Sequence, residues 1–212
     1  MLLSVFFVTV LVALFAIMNP IGGAVPTLVA LTQGYSQDEI GRVIRRSVMV
    51  AAGMLFGFMF VGVYIFLVLG IDISDFKVAG GVLLFKVAFD MLQGRTSNTK
   101  LTQQEEQETL EREAIGIVPI GTPLLAGPGT ITTGIIYFNA PGATVVERLL
   151  VVVAGIIVIL LAYFILRFSV PLFNRLGRTG SLLISRIMGL LLASIAIEFI
   201  TSGLYSIISS LH

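Results

Sequence analysis

The sequence predicts an all-α integral membrane protein of six transmembrane helices. They form two inverted three-helix repeats, with the first helix of each repeat broken by Pro and Gly. Three observations carry this expectation. Hydrophobic residues make up 57 % of the 212 residues and charged residues 12 %, against about 25 % charged in an ordinary globular chain. The mean hydropathy of +1.03 leaves more apolar surface than a soluble exterior can carry. Finally, segments of the two halves match at nearly constant offsets, and the first apolar run of each half holds a cluster of Pro and Gly.

The apolar runs cover 2–33, 47–71, 78–93, 114–140, 149–166 and 187–208. A bilayer core takes about 20 helical residues, which these lengths match or approach. Polar–apolar alternation is absent, which excludes a membrane β-barrel. The first basic residue is Arg42, so the initial apolar run lacks the basic region of a secretory signal and is expected to stay in the protein. The reading divides the chain into a first repeat at 1–94, an acidic linker at 95–113 and a second repeat at 114–212. The linker carries Glu105, Glu106, Glu108, Glu111 and Glu113.

Charge sets the expected orientation. Arg42, Arg45 and Arg46 lie between runs one and two, and Arg95, Lys100 and Arg112 between three and four. Arg167, Arg175, Arg178 and Arg186 lie between five and six. The other side holds Lys77 and Arg148. By the positive-inside rule, loops 34–46, 94–113 and 167–186 are cytoplasmic and both termini are outside.

The repeat rests on three alignments. Asn19-Pro20-Ile21-Gly22 falls on Gly127-Pro128-Gly129-Thr130 at an offset of 108. Lys77 through Gly94 falls on Arg186 through Gly203 at 109, and Arg42 on Arg148 at 106. With three spans in each half, the second must enter the membrane from the opposite side, an inverted repeat typical of transporters.

Five of the seven prolines sit in the two first spans: Pro20, Pro26, Pro119, Pro123 and Pro128. Proline removes an amide and glycine lets the chain leave helical geometry. Backbone groups freed in this way are tolerable in hydrocarbon only where protein or a cavity receives them. The half-helix after a break starts with free amides and a partial positive charge, suited to an anionic group. The half-helix before it ends in free carbonyls, suited to an ammonium or a cation. Two breaks meeting at the midplane would therefore suit a zwitterion. The candidate binding residues are Asn19, Pro20, Gly22 and Gly23, with Gly127, Pro128, Gly129, Thr130, Thr132 and Thr133 opposite.

Lys86, Asp90 and Glu198 lie inside apolar runs, where charge is expensive and suggests function. Lys86 and Asp90 are four apart and can neutralise each other. Glu198, about 18 Å along a helix from Arg186 by the helical rise, has no cation in its own span. It is expected either to pair with Lys86 or to carry a proton.

Other chemistries find little support. The chain has no Cys, its only His is His212, and no phosphate loop, HExxH or Gly-x-Ser-x-Gly elbow occurs. No enzyme activity, bound cofactor or metal site is expected, and a net charge of +1 points to no nucleic-acid partner.

The motifs Asn19-Pro20-Ile21-Gly22, Ala126-Gly127-Pro128-Gly129, Val78-Ala79-Gly80-Gly81 and Ser185-Arg186-Ile187-Met188-Gly189 resemble those of the MarC (UPF0056) family. So do the stretches Arg112 to Pro119 and Ile197 to Ile200, and the resemblance covers essentially the whole chain. It implies six helices in the cytoplasmic (inner) membrane of a prokaryote, surrounded by lipid, and kinship with the LysE exporters. It also implies transport of glycine, alanine or similar small neutral amino acids, as by SnatA-type members; it leaves the coupling ion open, for which H+ and Na+ are the candidates. An exporter or channel for another small solute is the alternative, with antibiotic efflux behind it. Neither the direction of transport nor the oligomeric state is readable from the sequence.

Overall fold

A computed structural model describes residues 2–94 and 120–210. The expected linker 95–113, Pro119 and His212 lie outside these residues. All regular structure among the described residues is helical. Helix α1, Leu3–Met18, ends at Asn19. A π-helical turn π1, Pro20–Ala24, leads into α2, Val25–Leu31. Helices α3, Gln37–Leu69, and α4, Ile73–Leu92, complete the first half. The second half has a π-helical turn π2, Ile120–Leu125, then α5, Pro128–Phe138, α6, Val145–Arg167, and α7, Ser169–Ser210.

Four stretches among the described residues are long and apolar enough to cross a bilayer: Leu3–Leu31, Gln37–Gly62, Val145–Arg167 and Ser169–Ser210. The expectation was six. Of the other two, α4 carries Asp75, Lys77, Lys86 and Asp90, and the run containing π2 and α5 is cut at Ala126–Gly127.

Two expected loops are largely helical. Within 34–46, α3 already starts at Gln37. The Ser36 amide and hydroxyl both donate to Glu39 Oε2 at 2.8 Å, and the Glu39 amide donates back to Ser36 Oγ at 3.3 Å. This reciprocal capping satisfies amides that a helix start otherwise leaves free. Thr144 and Glu147 form the same box at the start of α6, 108 residues further on. Most of 167–186 belongs to α7, which bends at Gly177, where φ is 63°. Arg175 and Arg178 flank the bend and are exposed.

The core lies where α1, α5, α6 and α7 meet, with α3 packed on α5 and α6. Leu14, Leu55, Leu84, Ile136, Val158 and Leu192 are essentially inaccessible there. The exterior is apolar as well: Val68, Phe89, Leu160, Phe164, Leu190 and Ile208 all face outward, as a lipid-facing surface requires.

Helices α4 and α7 pack tightly, and their contacts are reciprocal. A Cβ placed on Gly81 would lie 2.8 Å from the Ala196 carbonyl oxygen and 3.0 Å from the Ile200 amide. One placed on Gly189 would lie 3.0 Å from the Ala88 carbonyl oxygen and 3.2 Å from the Leu92 amide. Adding 108 to Gly81, and subtracting it from Ala196 and Ile200, turns the first set of partners into the second. Gly189 is therefore matched by Gly81, one residue on from the Gly80 that the 109 offset selected.

Candidate functional site: two apposed helix breaks

The first break is built around Asn19, the one non-glycine residue with positive φ among those described (φ 42°, ψ 55°). Its amide closes the last turn of α1 by donating to the Phe15 carbonyl. Pro20 has no amide to offer the Ala16 carbonyl, so the regular ladder stops. The Gly22 amide donates to Asn19 Oδ1 at 3.2 Å. Asn19 Nδ2 in turn donates to Ser185 Oγ at 2.9 Å, joining the break to α7 across 166 residues. Asn19 and Ser185 are both buried. A Cβ on Gly22 would meet Ser185 Cβ at 2.7 Å and its Cα at 2.9 Å, so only glycine lets π1 lie this close to α7.

In the second break, extended backbone at Gly127 (φ −71°, ψ 171°) precedes Pro128, and no side chain caps α5. The first helical bond runs from the Ile131 amide to the Gly127 carbonyl. The amides of Gly129 and Thr130 thus precede the ladder, at the positive end of the helix dipole. The Thr130 hydroxyl donates to the Leu125 carbonyl at 3.0 Å, across the break.

The two breaks touch. Turns π1 and π2 are in contact, with Leu124 Cδ2 3.4 Å from a Cβ placed on Gly23. A Cβ on Gly129 would strike Ile17 Cδ1, with Leu84 Cδ2 at 3.0 Å. The α1 end with its carbonyls therefore lies beside the α5 start with its amides; Gly22, Gly23, Gly129 and Thr130 are buried, while Gly127 is half-buried and Pro128 exposed.

The other candidates divide. Thr132 is buried against Gly80 of α4. Thr133 is buried with its hydroxyl unpartnered. Lys86 is exposed and Asp90 half-buried. Glu198 is also exposed, 13 residues beyond Ser185, or about 20 Å along α7 by the helical rise. It stands two residues on from Ala196, which faces α4, and so points to the opposite side of α7. Lys86 and Glu198 are not brought together. An apolar groove of about 520 Å³ between α1 and α7, lined by Val8, Val12, Leu191 and Ser194 among others, is separate from the breaks.

Ser185 was visible in the sequence only as part of a motif, with no role of its own. The available signal was a pair of hydroxyls one turn apart, Ser181 and Ser185, on one face of α7. Tyr137 gave no signal beyond its aromatic character.

A helical bundle with an apolar exterior and two apposed backbone breaks defines a polytopic integral membrane protein of transporter-like build. Residues 4–208 match the family model described as MarC family integral membrane protein. A UPF0056 membrane protein of Methanocaldococcus jannaschii is 33 % identical over 199 residues, covering 94 % of this chain and 96 % of the relative. YvbG of Bacillus subtilis is 34 % identical over 200 residues, 94 % of each chain. YhcE of Escherichia coli is 33 % identical over 200 residues, 94 % of this chain and 92 % of its own length. No solved structure matches. The chain belongs to the MarC family of integral membrane proteins.

Proposed function

We propose that this protein is a secondary transporter moving small neutral amino acids across the cytoplasmic membrane by alternating access, driven by a proton or sodium gradient. One observation carries the reading: two helix breaks of opposite polarity abut in the interior, with free amides at Gly129 and Thr130 beside the carbonyl end of α1. A carboxylate belongs at the α5 start and an ammonium at the α1 end. Ile17, Leu84 and Leu124 crowd the glycines, which favours a substrate with little or no side chain. The resemblance to SnatA-type members of the family supports the same substrate class.

In this reading the protein has six spans in two inverted repeats, with both termini outside. The reciprocal Gly81 and Gly189 contacts and the two capping boxes 108 residues apart support such a pseudo-two-fold arrangement. Asp38 and Val146 are equivalent residues beside these boxes. Asp38→Cys should be labelled by an impermeant thiol reagent only from the cytoplasmic side and Val146→Cys only from outside. Labelling of both from one side would reject the inverted arrangement.

Counterflow in proteoliposomes tests the activity itself. Preloaded glycine or alanine should drive saturable uptake of labelled amino acid, and an imposed proton or sodium gradient should drive accumulation. Non-saturating flux, or no response to any amino acid of a broad panel, would instead assign a channel or a carrier of another solute.

A further inference from the structure

Three buried side-chain hydroxyls among the described residues have no hydrogen-bond partner: Thr133 Oγ1, Tyr137 Oη and Ser181 Oγ. Their residues are 1 %, 9 % and 1 % exposed, so neither bulk water nor a headgroup reaches them in this conformation. An orphaned hydroxyl in an apolar interior is costly, and such groups in a folded protein call for an explanation. Val, Phe and Ala would fill the same spaces without that cost.

Their placement supplies the explanation. Gly129, Thr133 and Tyr137 succeed one another at four-residue intervals and share one face of α5. The face begins at the free amides of the second break. About 12 Å further along by the helical rise, it ends at Tyr137, whose ring packs edge-on against Phe6 and Phe199. Glu198, exposed, immediately precedes Phe199 on α7. Ser181 lies the other way. It is one turn before Ser185, which marks the level of the first break through its bond with Asn19, and it is close to the Gly177 bend. The contact Phe199 makes with Tyr137 comes 14 residues after Ser185 on α7. The orphaned hydroxyls therefore bracket the breaks along one line through the molecule.

We propose that these hydroxyls line the two halves of the solute path, Thr133 and Tyr137 the outer half and Ser181 the inner half. The inference rests on the alternating-access reading above. Each of these hydroxyls is closed off from the surface in the present conformation. When helices part on one side, water and the passing solute become the missing partners there, while the other side stays shut. Phe6 and Phe199 form the outer closure over Tyr137.

The test uses single thiols in this chain, which has no Cys. Ser181→Cys exchanges a hydroxyl for a thiol, Thr133→Cys does the same with loss of the γ-methyl, and Val158→Cys, fully buried in α6, is the control. Labelling rates with a charged, membrane-impermeant methanethiosulfonate are measured in right-side-out and inside-out vesicles. Labelling after detergent denaturation verifies that every variant carries its thiol. Thr133→Cys should react from outside and Ser181→Cys from inside, each at least tenfold faster than the control and than from its other side. Reaction of both from one side overturns the proposal. Rates no higher than the control overturn it too, since that is what permanently trapped water would produce. Labelling needs no transported solute, so a two-sided pattern without amino-acid counterflow supports the path and rejects only the substrate assignment.

Discussion

At Asn19 the chain turns left-handed, caps itself through Gly22 and ties itself to Ser185. At Gly127 it runs extended into Pro128, with no side-chain cap on the helix that follows. The π-helical turn comes after the first break and before the second. Gly22 and Gly23 are buried, whereas Gly127 is half-buried and Pro128 exposed. Two segments 108 residues apart thus share their proline but not their chemistry. In the first break the side chain of Asn19 already answers an amide the break frees. The second keeps its amides for something else. A proline in register determines where a helix breaks; whether a side chain fills the gap determines whether the break is a latch or a binding end.

The largest expected effect separates the glycines of the two breaks. Gly22→Ala would push against Ser185 Cβ and Cα, atoms that cannot rotate away. It should cost about 1–3 kcal/mol as overpacking and reduce counterflow at least tenfold. Gly129→Ala meets the ends of the Ile17 and Leu84 side chains, which can shift. It should cost less stability while still abolishing transport, because its methyl covers the open amides. Thermal unfolding in detergent alongside counterflow checks both, and equal stability losses would contradict the distinction between the breaks.

Next is Asn19. Asn19→Ala places a residue with a Cβ and no polar group in left-handed geometry, a strain of about 1–2 kcal/mol, and deletes both side-chain bonds. Asn19→Gly removes the bonds without the strain and should recover roughly half of the lost stability. If the two variants unfold together, left-handed geometry is not what selects this residue. Ser185→Ala leaves Asn19 Nδ2 without its acceptor and should cost about 1–3 kcal/mol as an unsatisfied buried donor. A variant of wild-type stability would show that the tie to α7 is dispensable.

The smallest effects fall on the capping boxes, where the halves are most alike. Ser36→Ala and Thr144→Ala should each cost about 1 kcal/mol, by the same measurement and to within a few tenths of each other. A clear inequality would indicate that one of these helix starts is held by its neighbours rather than by its cap.

Much of this was legible because it depends on chemistry local to the chain. Apolar runs of bilayer length, proline without an amide and glycine without a Cβ act wherever they stand, so the membrane class and both breaks could be read directly. The capping boxes Ser36 to Glu39 and Thr144 to Glu147 were equally local. The pairing of Arg42 with Arg148 sets the starts of α3 and α6 at an offset of 106, where the boxes give 108, and 34–46 reads as a loop.

What the sequence left open depended on which face of a helix meets which neighbour. Glu198 sits in an apolar run, but α4 and the core occupy the other faces of α7 and leave it at the surface. The 109 offset paired Gly80 with Gly189, until close backbone contact placed Gly81 there instead. Ser185 became the partner of Asn19 only because α7 packs against π1. Helix breaking is determined by the residues at the break, so the sequence alone determined it. The partner of a buried polar group is determined by packing across 166 residues of chain, and only the tertiary structure decided that.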